Sequence, residues 1–179
     1  MGLGITAVIT AGLGVDPWTV LTLGTSHTFN LTPGRASQIQ AVIIMAGVYL
    51  FFRRRPGLGT LLNMFLVGFF IDTFSYFWPT PTTLIGQLIL LAAGIIILGA
   101  GVGTYVSGSL GEGPIEQLML ALTENGRRHV GRVRIFMDFS ATVIGCLLGG
   151  TVGLGTLISV VGIGLVVEKT LQLLPSLAE

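Results

Sequence analysis

Residues 56–72 read PGLGTLLNMFLVGFFID and residues 152–168 read VGLGTLISVVGIGLVVE. Both stretches open on Gly-Leu-Gly-Thr, run on through apolar residues with one matching interior glycine, and close on a carboxylate. The register between them is constant. Gly57 and Gly153, Gly59 and Gly155, Thr60 and Thr156, Gly68 and Gly164, Asp72 and Glu168, and Pro79 and Pro175 all differ by 96. Upstream the offset becomes 97, relating Gly14 to Gly111, Pro17 to Pro114, Gly34 to Gly131 and Arg35 to Arg132. Isolated glycines recur by chance, but four consecutive identities with matching Pro, Gly-Arg and acidic positions do not. Residues 1–179 read as one domain built from two copies, 1–81 and 82–179.

Composition sets the solvent. Of 179 residues, 51% are hydrophobic and only 9% charged, with a mean hydropathy of +0.87. A soluble domain carries about 25% charged residues, so this chain lacks the polar surface to cover a globule in water. Apolar runs lie at 36–52, 57–78, 83–108, 135–151 and 152–167, each near the roughly 17–25 residues that cross the hydrocarbon core. Alternating ten-residue segments, the mark of a membrane barrel, are absent. The opening MGLGITAVITAGLG has no basic region ahead of its apolar residues and does not read as a signal peptide. It is short for a span. Its counterpart begins near Gln87 or earlier, which maps to before Met1, so this first helix reads either as lacking roughly ten residues or as simply shorter than a full span. The lone Cys146 excludes an intramolecular disulfide and reads as a small core residue.

Each copy follows one plan. A helix stops at a Gly-rich break, GLGVDPW or GEGPIEQ. A short amphipathic or half-helix segment follows (17–28 or 114–124), then Gly-Arg, a second spanning helix, a tight link and the GLGT helix. The expected fold is an all-α polytopic membrane bundle of about six spans. Three spans per copy is odd, so the second copy enters the membrane inverted, an arrangement common among secondary transporters. One side of such a bundle collects Arg53, Arg54, Arg55, Arg127, Arg128, Arg132, Arg134 and Lys169, the other only Arg35. By the positive-inside rule both termini are cytoplasmic.

The motifs GLGVDPWTVL, GLGTLLNMFLVGFFID, GEGPIEQLMLAL, RVRIFMDF and GCLLGGTVGLGT together resemble the YczE branch of the YczE/YitT family, along essentially the whole chain. Where that family's Arg-x-x-x-Glu element has glutamate, this chain has Asp138, four residues after Arg134. The resemblance implies a multi-pass protein of the bacterial cytoplasmic membrane of predicted transporter type, and supplies no substrate.

Several residues are candidates for binding a substrate or ion. Gly14, Asp16 and Pro17 open the first half-helix, and Gly113, Pro114 and Glu116 the second; each start either caps a helix or turns its positive end toward an anion. Trp18 reads as an interfacial anchor. Ile115, Leu118, Met119 and Leu122 form an i, i+3, i+4, i+7 packing stripe. Asp72 lies in an apolar span, where a carboxylate is a functional candidate by default. Asp138 either pairs with Arg134 at the headgroups or faces the bundle and carries a proton or cation. Gln40 sits at comparable depth in the first copy, as does Gln38. Thr60 and Asn63, with Thr156 and Ser159, offer hydroxyl or amide ligands beside the GLGT starts.

Other chemistries lack their residues. The Gly-x-Gly patterns follow no strand and precede no Lys-Ser/Thr pair. His27 and His129 are isolated, with no metal-ligand spacing. No nucleophile–base arrangement appears, so neither catalytic residue, metal nor cofactor is expected, and the basic residues border a membrane rather than form a nucleic-acid face. The expected partners are the lipid bilayer and an unidentified small molecule, anionic or amphiphilic, with a second copy of the chain as a further candidate. The leading expectation is a small secondary transporter or exporter. The alternative is a membrane scaffold or regulator acting through helix contacts.

Overall fold

A computed structural model describes residues 1–108, 111–123 and 130–174. Arg127, Arg128, His129 and Pro175, invoked above, lie outside the described residues. Eight α-helices and no strand occur among those described: α1 (Gly2–Ala11), α2 (Pro17–Phe29), α3 (Pro33–Phe52), α4 (Leu58–Phe77), α5 (Leu84–Ser107), α6 (Pro114–Thr123), α7 (Val130–Leu147) and α8 (Leu154–Leu173). Four of them, α3, α4, α5 and α8, are long and apolar enough to cross a membrane. Helix α7 has 18 residues, but Arg132, Arg134 and Asp138 charge its first half. Helix α1 has 10 residues and reaches about 15 Å, half of a hydrocarbon core.

The exterior is apolar. Leu58, Phe65 and Phe69 of α4, Ile89 and Ile96 of α5, and Leu157 and Val161 of α8 are exposed. Helix α7 likewise turns Ile135, Phe136 and Leu147 outward, with Cys146 among them rather than in the core. Side chains of this kind over most of the outer surface suit lipid.

Helix directions follow from the glycine contacts. A Cβ at Gly4 would lie 2.5 Å from Leu98 N, one at Gly94 2.8 Å from Val8 Cγ2, and one at Gly101 2.8 Å from Met1 N. As α1 advances its neighbours on α5 recede, so the two run antiparallel. Helices α5 and α8 run parallel, since Gly99 meets Val166 and Gly103 meets Thr170, and Ser107 Oγ donates to Leu174 O at 3.1 Å. Helix α1 meets α4 through another glycine, Gly2 lying against Phe70. Without a Cβ, backbones approach closely, the usual basis of helix association in lipid.

The interior has two apolar centres. Val8, Ala11, Val15, Val20, Leu23, Leu91 and Ile95 join α1, α2 and α5. Met45, Val48, Met64 and Ala121 join α3, α4 and α6. On α6 the buried face is Pro114, Gln117 and Ala121, with Leu118 packed beside it. Ile115, Met119 and Leu122 of the expected stripe are only half-buried, because α6 packs through the adjacent line, Ala121 in the cluster with α3 and α4 and Gln117 bonded to Thr60 of α4.

Candidate functional site

Both Gly-rich breaks interrupt the chain as expected, between α1 and α2 and between α5 and α6. Because α1 and α5 are antiparallel, the breaks lie at opposite ends of the bundle. Asp16 caps α2: its carboxylate accepts from Thr19 N at 3.2 Å and Thr19 Oγ1 at 2.6 Å, with Pro17 at the first helical position. Such a cap satisfies donors the helix cannot pair itself.

Each break docks on the GLGT start of the other copy. Gly14, at φ 108°, lies so near α8 that a Cβ there would sit 2.6 Å from Gly153 N. Leu13 O accepts from Gly155 N at 2.8 Å, and buried Thr156 Oγ1 accepts from Gly153 N at 3.2 Å. In the other direction Gly111, at φ 118°, lies against Gly57 and Thr60 of α4. Thr60 Oγ1 donates to Glu112 O at 2.6 Å. Positive φ is needed at both glycines, and only glycine takes it without strain.

From the first break a line of polar contacts runs inward. Trp18 Nε1, one residue into α2, donates to Asp138 Oδ1 at 2.8 Å. Arg134 Nε holds Asp138 Oδ2 at 3.0 Å, and Arg134 also reaches Glu116 Oε1 at 3.9 Å. Glu116 stands in the first turn of α6. Beside this line Thr22 Oγ1 bridges Trp18 O and Gln40 Oε1, at 3.0 and 2.9 Å. The starts of both half-helices are thus joined through two charged residues of α7.

At the second break the line opens into a groove of about 760 Å³. Arg54, Arg55, Glu112, Glu116 and Gln117 supply its polar lining, and Val106, Met119 and Leu120 an apolar wall. Arg54 pairs with Glu112 at 3.8 Å.

The geometry reassigns several candidates. Trp18, half-buried, commits its indole N–H to Asp138. Arg134, its side chain 40% exposed, pairs with both Asp138 and Glu116. Asp72 stands apart from the polar line and caps α3, accepting from Gly34 N at 2.7 Å and Thr32 Oγ1 at 2.6 Å. Among the described residues Asn63 donates to Met1 Sδ, at 3.3 Å. Ser159 is fully buried on α8, and Gln38 binds Phe65 O at 2.9 Å. Asp16, Trp18, Gln40, Glu116, Arg134 and Asp138 are brought together. Gly14, Thr60, Gly113, Pro114 and Thr156 build the breaks around them. Thr22 and Gln117 were missed; Gln117 carries one legible signal, its i, i+3 position from Pro114 on the half-helix.

Comparisons with known proteins place the chain among uncharacterized proteins, one of them named as a membrane protein. Residues 1–171 match the model of DUF6198, a family of unknown function. The chain is 36% identical over 159 residues to the Bacillus subtilis (strain 168) protein named "Uncharacterized membrane protein YczE", covering 89% of this chain and 74% of that one. It is 33% identical over 177 residues to an "Uncharacterized protein" of Haemophilus influenzae, covering 99% and 81%. It is 27% identical over 163 residues to "Uncharacterized protein YyaS" of Bacillus subtilis, covering 89% and 81%. No solved structure matches. With only helices among the described residues, four of them of membrane length, and a match to this family model over 171 residues, the chain belongs to the DUF6198 family and is a relative of the membrane protein YczE.

Proposed function

We propose that the protein is a small secondary transporter of the bacterial cytoplasmic membrane, moving a small anionic or amphiphilic solute through a site between two inverted repeats. The observation that carries this reading is the polar line Trp18–Asp138–Arg134–Glu116, whose partly exposed side chains join the starts of two half-helices in an otherwise apolar bundle. Ionisable residues at such a position are costly in lipid and mark solute or ion pathways. Broken helices facing a shared interior are the usual construction of a transporter site. The protein binds and moves its solute without altering it.

The antiparallel run of α1 and α5, and the reciprocal docking of each break on the opposite GLGT start, support the inverted relation. With α1 and α7 counted as crossings there are six spans, and both termini fall on the cytoplasmic side with Arg53–Arg55.

Alternation has a physical basis in one asymmetry. Gly34 and Gly68 touch across α3 and α4, while their counterparts Gly131 and Gly164 have nothing within 4 Å. The same seam is closed in the first copy and open in the second. Exchanging the two conformations between copies would move access from one end of the bundle to the other.

The deciding experiment is reconstitution into liposomes with labelled small anions, amino acids and amphiphilic compounds, with and without a proton gradient. Saturable uptake of one class is expected. A tightly sealed, monodisperse preparation that moves none of them would return the protein to the scaffold reading.

A further inference from the structure

The groove at the second break contains an acceptor that protein groups leave unused. Gln117 is 6% exposed, and its Nε2 lies 3.4 Å from Thr60 Oγ1. The Thr60 hydroxyl has one proton, already given to Glu112 O at 2.6 Å, so it can only accept from Gln117. That fixes the amide orientation. Gln117 Oε1, itself buried, is then left without a donor among the described residues, and Gln117 is one of the residues lining the groove. A buried carbonyl without a partner is costly enough to call for one.

Two carboxylates line the same groove, each only loosely held. Glu112 meets Arg54 at 3.8 Å and Glu116 meets Arg134 at 3.9 Å, whereas Arg134 holds Asp138 at 3.0 Å. Both glutamates therefore keep accepting capacity toward the groove. Gln117 Oε1, Glu112 and Glu116 make three acceptors, and a primary ammonium carries three donors. Arg55, exposed and without an ion-pair partner among the described residues, stands at the same rim. Its fork suits a carboxylate or phosphate.

We propose that this groove binds a zwitterion, its primary ammonium held by Gln117, Glu112 and Glu116, its anionic group by Arg55, and its apolar part by Val106, Met119 and Leu120. The inference rests on the transporter reading and names the substrate class of that site. Two sources share this chemistry: a free amino acid with an apolar side chain, and an ethanolamine phospholipid headgroup.

Binding to the full-length detergent-purified protein separates the possibilities. Leucine is titrated against N-acetylleucine, which lacks the ammonium, and isoamylamine, which lacks the anion. In parallel, nanodiscs of phosphatidylethanolamine are compared with phosphatidylcholine, whose quaternary nitrogen has no donor. Saturable binding of leucine, or retention of phosphatidylethanolamine over phosphatidylcholine, is expected and identifies the source. Glu112→Gln and Arg55→Ala, both on accessible side chains, should each weaken that binding about tenfold, the scale of one hydrogen bond to a charged group. Gln117→Met should do the same if it folds. Equal binding of leucine and its singly charged analogues, no preference in either arm, or unchanged binding in both accessible variants would overturn the inference. Zwitterion binding without flux would instead remove the transporter reading and leave this site standing. Flux of a non-zwitterion with an empty groove would do the reverse.

Discussion

Asp138 and Asp72 look alike in the sequence, each a carboxylate in an apolar helix, and their surroundings divide them. Asp138 takes one bond from Trp18 Nε1 and one from Arg134 Nε. Asp138→Asn leaves the Arg134 charge without its short-range partner, and Trp18→Phe removes one neutral donor with little change in shape. Flux in proteoliposomes should fall at least about tenfold in Asp138→Asn and less in Trp18→Phe, with both proteins monodisperse in detergent. Wild-type flux in both would reduce the pair to packing. Asp72 instead closes the start of α3 through Gly34 N and Thr32 Oγ1. Asp72→Asn keeps one acceptor oxygen and loses the charge, so it should cost about 0.5–2 kcal/mol of stability, the range for a helix cap. Thermal unfolding in detergent reads that loss, while flux per folded molecule should not change.

At the scale of elements, glycines with the same place in the repeat do different things. Gly14 and Gly111 combine positive φ with a neighbouring backbone or hydroxyl, so alanine at either meets strain and crowding together, costing about 1–3 kcal/mol. Gly12 has φ 70° but nothing within 4 Å; its alanine variant should lose less than Gly14→Ala in the same unfolding assay. Gly164 is helical with open space around it, whereas Gly68 lies against Gln38 and Gly34. Gly164→Ala should therefore stabilise the protein by about 0.4–1 kcal/mol yet slow transport, because the added methyl obstructs closure of the α7–α8 seam. Equal stability changes at 68 and 164 would show that the seam is not asymmetric in the membrane.

For the molecule as a whole, the span count and the exchange of seams can each be measured. Single cysteines in a Cys146→Ser background, at Arg55 and Arg132 on one side and Arg35 and Gly149 on the other, test the crossings with an impermeant thiol reagent. Six spans require the first pair to label from the cytoplasm and the second from outside. Labelling of positions 149 and 132 from the same side would mean that α7 does not cross. A disulfide needs Cα atoms about 4.4–6.8 Å apart, so cysteines at 131 and 164 should cross-link only after the seam closes. Oxidation during turnover is expected to trap that state and stop flux, and reduction to restore it. Cross-linking that forms freely yet leaves flux intact would separate the seam from transport.

The sequence by itself determined the solvent and the breaks, and it carries the spacing on which the repeat reading rests. Hydrophobic content decides whether a chain can face water, an offset of 96–97 is visible without coordinates, and the Gly and Asp-Pro signals at 12–17 are local properties of the backbone. The half-helices were legible for that reason. Only the tertiary structure decided what each side chain meets. Trp18 reaches a residue 120 positions away, Asp72 one 38 positions away, and Thr60 the carbonyl of Glu112 in the other copy. In lipid no difference in hydrophobicity tells one apolar helix face from another, so partners are chosen by close glycine contact and hydrogen-bond satisfaction. Both depend on the three-dimensional path of the chain. Two copies of one sequence unit could therefore enclose a charged line and a groove that neither copy contains alone.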